Sequence, residues 1–281
     1  MRIQYKKLFV IVKLIIKYGF SILLAIIMLA PFAWAVSTAF KPADEIIAFP
    51  PQWIPEHPVN NFPEVFRRAP FGIYFLNSIF VALCVVVGVL ITSSMGGYAF
   101  AKFDFLGKEI LFILVLSTMM VPWAVTIIPV YTLIFKLRWL DTRQALIIPP
   151  LASAFGIFLF RQFMLGIPTD YIDSARIDGA SEFRIYLNII LPLCRPVLAT
   201  LALFTFMGQW DSLLWPLLVI KSPQKLTIPL GLAQFRFAIY GFNETNLLMA
   251  AALISILPTV ILFLITQKYF IQGITLTGLK G

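Results

Sequence analysis

The sequence predicts an all-α integral membrane protein that crosses the bilayer about six times, and three observations carry that prediction. Hydrophobic residues make up 60% of the chain and charged residues 12%, against roughly 45–50% and about 25% in an average soluble domain. Uncharged runs of about 20 residues, the length a helix needs to cross a hydrocarbon core about 30 Å thick, recur from one end of the chain to the other. The net charge of +9 sits in short segments between those runs. No segment has the dense basic block with stacking aromatics of a nucleic-acid surface, so the charge reads as topology signal. Cys84 falls in an apolar run and Cys194 in a polar loop, neither in a Cys-x-x-Cys or Cys/His cluster, which argues against a disulfide or zinc framework.

The first element follows Arg2, Lys6, Lys7, Lys13 and Lys17. An apolar stretch after such charges resembles a signal peptide, but the run over 18–40 exceeds the roughly 7–15 residues of a signal core. It is expected to be a retained first span after a cytoplasmic N-terminus, 1–17. Further spans are expected near 73–99, 110–134, 145–165, 196–220 and 247–270. Pro31, Pro122, Pro129, Pro149, Pro150, Pro216 and Pro258 lie inside or at the edges of these runs, where they free backbone groups that neighbouring helices or a cavity must satisfy. The positive charges before the first span lack acidic partners, whereas 41–72 sets Asp44, Glu45, Glu56 and Glu64 against Lys41, Arg67 and Arg68. That asymmetry puts the N-terminus inside and 41–72 outside. Alternation then puts 102–109, 166–195 and the tail 271–281 inside, with 18–270 as the transmembrane domain.

The external stretch 49–58 is too rich in proline to be helical and is expected to run extended along the membrane surface, with Trp53 as an interfacial anchor. The lone His57 reads as a solvated loop residue, since no second metal ligand is near it. Asn243-Glu244-Thr245 matches a glycosylation sequon, a match that in a bacterial chain would be chance.

The inside loop 166–195 is built unlike an ordinary connection. The run from Thr169 to Asp178 is expected to be a short helix capped by Thr169 or Asp170, with Gly179 ending it in a left-handed conformation. Ile172, Ala175 and Gly179 share one face. Small residues there permit close approach of another backbone, and Asp173, Arg176 and Asp178 supply polar contacts around it. A second helical run is expected over 181–190, ending at Leu191-Pro192. The shape implied is a docking helix carried below the bilayer on two membrane arms.

The run Asp173-Ser174-Ala175-Arg176-Ile177-Asp178-Gly179-Ala180, with Ile190-Leu191-Pro192 downstream, resembles the conserved docking loop of bacterial ABC importer membrane subunits. That loop reads Glu-Ala-Ala, three residues, Gly, then Ile-x-Leu-Pro. This chain departs from it with Asp173 for Glu, Ser174 for Ala, and an Ile directly before the Leu. Other stretches are similar to the maltose-type carbohydrate permeases: Ser37 to Pro42, Phe49 to Pro55, Asn60-Asn61-Phe62, Asn77-Ser78, Gly97 to Ala101, Trp210-Asp211, Trp215-Pro216-Leu217, Gln272-Gly273 and Gly278 to Gly281.

The resemblance implies a type I importer architecture in the bacterial inner membrane. It implies a second, unlike permease, two ATPase subunits and an extracytoplasmic binding protein that delivers a sugar or oligosaccharide. Residues Ile172, Asp173, Ser174, Ala175, Arg176, Asp178, Gly179, Ala180 and Pro192 would form the ATPase-docking set. The sequence carries no Gly-x-x-x-x-Gly-Lys-[Ser/Thr] loop, so ATP and magnesium are expected on the partner ATPase, with no catalytic or metal residues in this chain. Asn77, Trp123, Tyr131, Gln209, Trp210 and Asp211 are the residue types a neutral sugar would meet along a pathway. Three alternatives stand beside this reading. An ion-coupled secondary transporter would be expected to carry more ionisable residues within its spans; an intramembrane enzyme would need a catalytic set that is not seen; an importer of a non-sugar solute shares the same architecture.

Overall fold

The computed structural model describes residues 2–238 and 244–277; Asn243 of the sequon and the final 278–281 lie outside the described residues. Every regular element among the described residues is helical. Four helical stretches are long and apolar enough to cross a membrane: Val12–Ala39, Phe71–Lys102, Arg143–Leu165 and Thr245–Ile265. Two sharply bent helix pairs bring the number to as many as six, in agreement with the count expected from hydropathy.

The chain divides into two compact units, the first running to Ala69 and including Gln234–Ser255, the second comprising Pro70–Ala233 and the chain from Ile256 onward. In the first unit, helix α1 (Arg2–Ala39) contains Pro31, and α2 (Ala43–Ile46) and α3 (Phe62–Arg68) flank the non-helical proline-rich stretch. Lys41 organises this region. Its side chain is buried, lies 4.2 Å from the centre of the Trp34 ring and donates to the Gln52 carbonyl. The Lys41 carbonyl accepts from Asn61 at 2.9 Å and from Asn246 at 3.0 Å. Trp53 meets Trp34 edge-on at 5.1 Å, and Glu45 accepts the backbone N–H groups of Glu56 and His57. A buried ammonium is tolerable because an aromatic face and a carbonyl replace its hydration.

The second unit is built on α4 (Phe71–Lys102), which continues past the expected 73–99 at both ends. Its main partners are α8 (Ala154–Leu165) and α12 (Arg195–Trp210). Small residues bring α4 and α8 together: a Cβ on Gly97 would lie 2.4 Å from the Phe160 Cβ, and one on Gly156 would lie 2.2 Å from the Ser93 hydroxyl. Between lipid-embedded helices such close packing takes the place of a hydrophobic driving force.

Three of the expected spans are interrupted. The run 110–134 is two helices, α5 (Lys108–Thr118) and α6 (Trp123–Lys136), bent by 98° across residues 119–122. Pro122 takes an extended conformation with ψ 137°; it offers no N–H and disfavours helix in the residue before it, which turns a kink into a break. The span expected over 145–165 starts as α7 (Arg143–Ile147), passes a tight turn at Pro149–Leu151 and continues as α8. Within the expected span 196–220, α12 ends at Trp210 and α13 (Leu214–Val219) resumes after Asp211. At 1.5 Å per residue the 16-residue α12 covers about 24 Å, and it is the helical run before it, Glu182–Leu193, that pairs with it across a 78° bend. The chain then forms α14 (Ile228–Ala238) and α15 (Thr245–Thr277).

Candidate functional site

The loop 166–195 folds into α9 (Asp170–Ile177), α10 (Glu182–Ile185), a wide π turn at Tyr186–Ile190 and α11 (Leu191–Leu193), and meets α12 at a bend of 78°. The expected cap is absent. Thr169 already has helical angles, φ −68° and ψ −22°, and its side chain makes no capping bond, because a capping hydroxyl needs extended backbone to reach the first free amides. Asp170 is the first helical residue instead. The end of α9 follows expectation: Gly179 has φ +78°, its N–H reaches the Arg176 carbonyl at 3.0 Å and the Ala180 N–H reaches the Ala175 carbonyl at 2.9 Å. That pair of bonds is a Schellman closure and accounts for the spacing of Ala175, Gly179 and Ala180. The π turn directly precedes Pro192, whose missing N–H leaves the Asn188 carbonyl without its usual helical partner.

Ile172 and Ala175 are buried within this chain and hold α9 in place. The face left open carries Tyr171, Ser174, Ile177 and Asp178, with Asp173, Arg176 and Gly179 also exposed. Ile177 is 86% exposed, and Phe183 on α10 is 62% exposed. Tyr171, Ile177 and Phe183 were not singled out from the sequence; an apolar residue on the polar side of a short helix was the available signal. A Cβ at Gly179 would meet nothing within 4 Å, so the space beside it is free. Pro192 is exposed as well.

Three side chains of α4, spaced by four, reach this loop. The Ser94 hydroxyl lies 2.6 Å from the Tyr186 hydroxyl, Tyr98 donates to Glu182 Oε2 at 3.2 Å, and Lys102 donates to the Ile167 carbonyl at 2.6 Å. Glu182 also accepts from Arg176 Nε at 2.7 Å, and Arg176 Nη1 reaches Asp173 at 3.2 Å.

The helix breaks produce a second feature, a cleft of about 530 Å³ whose wall includes Trp123, Pro149, Pro150, Gln209, Ser212 and Trp215. Trp215 is fixed by donating from Nε1 to the Ala145 carbonyl at 2.8 Å, and the half-exposed Trp123 meets it edge-on at 5.8 Å. The Gln209 side-chain amide and the Ser212 hydroxyl make no hydrogen bond to any described residue. Of the six residues expected along a pathway, Trp123 and Gln209 line this cleft. Asn77 is buried and fully engaged, donating to the carbonyls of Gln224 and Leu226 and accepting from Arg143. Trp210 is buried and stacked on Phe206. Tyr131 does not line the cleft; neither does Asp211, which is exposed and closes α12 with its N–H on the Met207 carbonyl.

A multi-span helical chain with broken spans around a cleft and a short helix held at the ends of two spans has the build of a transporter's membrane subunit. The family described as the binding-protein-dependent transport system inner membrane component matches residues 88–276, and the chain belongs to it. Over 272 residues it is 37% identical to the arabinooligosaccharides transport system permease protein of Halalkalibacterium halodurans, covering 94% of this chain and 95% of that protein. It is 35% identical over 208 residues to the sn-glycerol-3-phosphate transport system permease protein of Pectobacterium atrosepticum, 74% of each. Its fold is shared with the crystal structure of a bacterial ABC transporter involved in the import of the acidic polysaccharide alginate. The TM-score is 0.82 and the identity 23%, over 92% of this chain and 96% of that one. The chain is therefore a multi-pass permease subunit of an ABC importer in the bacterial inner membrane, a transport subunit rather than an enzyme.

Proposed function

We propose that this permease imports a neutral sugar or oligosaccharide as one of two unlike membrane subunits. It is driven by a pair of separate ATPase chains and supplied by an extracytoplasmic binding protein. The observation that carries the reading is the exposed face of α9 and α10, where Tyr171, Ile177 and Phe183 stand open around a helix that its own chain holds by Ile172 and Ala175. Apolar groups of this kind at the end of membrane arms fit a cleft on a soluble partner, with Asp173, Ser174, Arg176, Asp178, Gly179, Ala180 and Pro192 around or shaping the contact. ATP and magnesium belong to that partner. The positive charges ahead of the first span support a cytoplasmic N-terminus and, by alternation, a cytoplasmic loop 166–195.

The cleft supports the sugar class. Indole faces with an uncommitted amide and hydroxyl are groups that hold a polyhydroxylated ring, so Trp123, Gln209, Ser212 and Trp215 form this subunit's share of the pathway. The relative that carries sn-glycerol 3-phosphate favours a non-sugar solute as the second reading. None of the described residues of the cleft wall is Lys or Arg, which weighs against it. The test is purification of the tagged chain from membranes in mild detergent. A second permease and an ATPase should accompany the wild type, and Ile177→Asp should lose the ATPase alone. A chain that purifies by itself in both forms would refute the proposal.

A further inference from the structure

Helix α9 is eight residues long, too short to hold its own conformation in water. Whatever force a docked partner exerts on it must therefore pass through its attachments. Apart from the buried Ile172 and Ala175, the polar attachments around it converge on one stripe of α4. Ser94, Tyr98 and Lys102, each one helical turn from the next, bond to the π turn, to α10 and to the carbonyl just before α9. The middle contact differs from the other two because Glu182 accepts from both sides, from Tyr98 on α4 and from Arg176 on α9. The tyrosine ring is itself confined, lying 5.3 Å from Phe103 and 5.4 Å from Tyr186.

We propose that Tyr98 and Glu182 are positioning residues that lock the docking helix to the end of α4, so that the two move as one lever when the partner moves. The inference rests on the docking role of α9 and adds the route by which motion enters the membrane. A hydrogen bond holds direction as well as distance, and two of them meeting on one carboxylate leave Arg176 and Tyr98 no freedom to slide past each other. Burial of Ile172 and Ala175 alone would permit such sliding, because apolar contacts are non-directional. The Arg176–Asp173 contact then braces the guanidinium against its own helix.

The experiment uses the assembled complex with Tyr98→Phe, Glu182→Gln and the double variant. Tyr98→Phe keeps the ring and removes one hydroxyl, so folding is preserved, and co-purification of the ATPase reports assembly. Spin labels at Met95→Cys on α4 and Asp170→Cys on α9, with Cys84 and Cys194 replaced by alanine, read the distance between the two helices. The wild type should give one narrow distance that persists when ATP, magnesium and vanadate are added, and the double variant a broadened one. In proteoliposomes with ATP and magnesium inside and the binding protein with arabinotriose as the probe outside, import per ATP hydrolysed by the double variant should fall about tenfold, the factor expected for two lost hydrogen bonds, with ATP hydrolysis retained. An unchanged narrow distance in the double variant would overturn the proposal. If the wild type does not carry arabinotriose, that result bears on the choice of sugar alone, and the distance measurement still decides this proposal.

Discussion

Asp141 shows how much one side chain holds. It sits in left-handed backbone, φ 57°, between α6 and α7, and its N–H donates to the Val219 carbonyl at 2.7 Å. Its carboxylate accepts from the N–H groups of Lys221 and Ser222, from the Ser222 hydroxyl and from Lys225. Burial pushes its pKa up, but the bonds from Ser222, Lys221 and Lys225 outweigh that and hold the carboxyl well below the usual carboxylate range. A depressed folded pKa means the stabilisation is complete above the unfolded value, about 4, and drains away as pH falls towards the folded one. Asp141→Asn should therefore cost about 1–3 kcal/mol at neutral pH, and the gap to wild type should narrow below about pH 4. Thermal unfolding in detergent across that range measures both. Nothing in the sequence marked this aspartate above its neighbours. Asp211, which was expected along a pathway, is exposed, because the helix ends beside it and leaves it in a break.

The α4–α8 seam depends on the absence of side chains. Gly97→Leu would drive a branched chain into Phe160, whose own Cβ stands 2.4 Å from the position of the first added carbon. A loss of about 1–3 kcal/mol or more follows from overpacking. Gly208→Ala, with nothing within 4 Å, should be nearly neutral, and a thermal aggregation assay separates the two. Spans were readable because every residue of a lipid-embedded helix contributes to one signal. Breaks were not, because Pro129 is accommodated inside α6 while Pro122 stands in the break just before it, and only the packing around each decides. In the docking loop, Gly179 could be read from local chemistry. The division of its helix into the held residues Ile172 and Ala175 and the free residues Tyr171 and Ile177 depends on which side the rest of the chain occupies, and spacing along one helix does not say. The same holds for Ser94, Tyr98 and Lys102, whose spacing is visible but whose partners lie more than 60 residues downstream.

Taken whole, the molecule is an importer's membrane subunit, and the sidedness proposed for it, N-terminus inside, is directly measurable. Leu106→Cys, at a fully exposed position, should react with a membrane-impermeant maleimide in inside-out vesicles and stay protected in intact spheroplasts. Trp53→Cys should show the opposite pattern. Reversal of both would invert the topology, since the two positions lie on either side of α4. The buried Lys41 adds a temporal dimension. Its carbonyl takes a bond from Asn246, 205 residues later in the chain, and that residue belongs to the last helix. At a synthesis rate of about 5–20 residues per second, the segment after the first span waits on the order of ten seconds or longer for a partner that has not yet been made. The junction at Lys41 thus closes only when the final span has been inserted, and a truncated or stalled chain leaves it open, visible to quality-control proteases as an unfinished product.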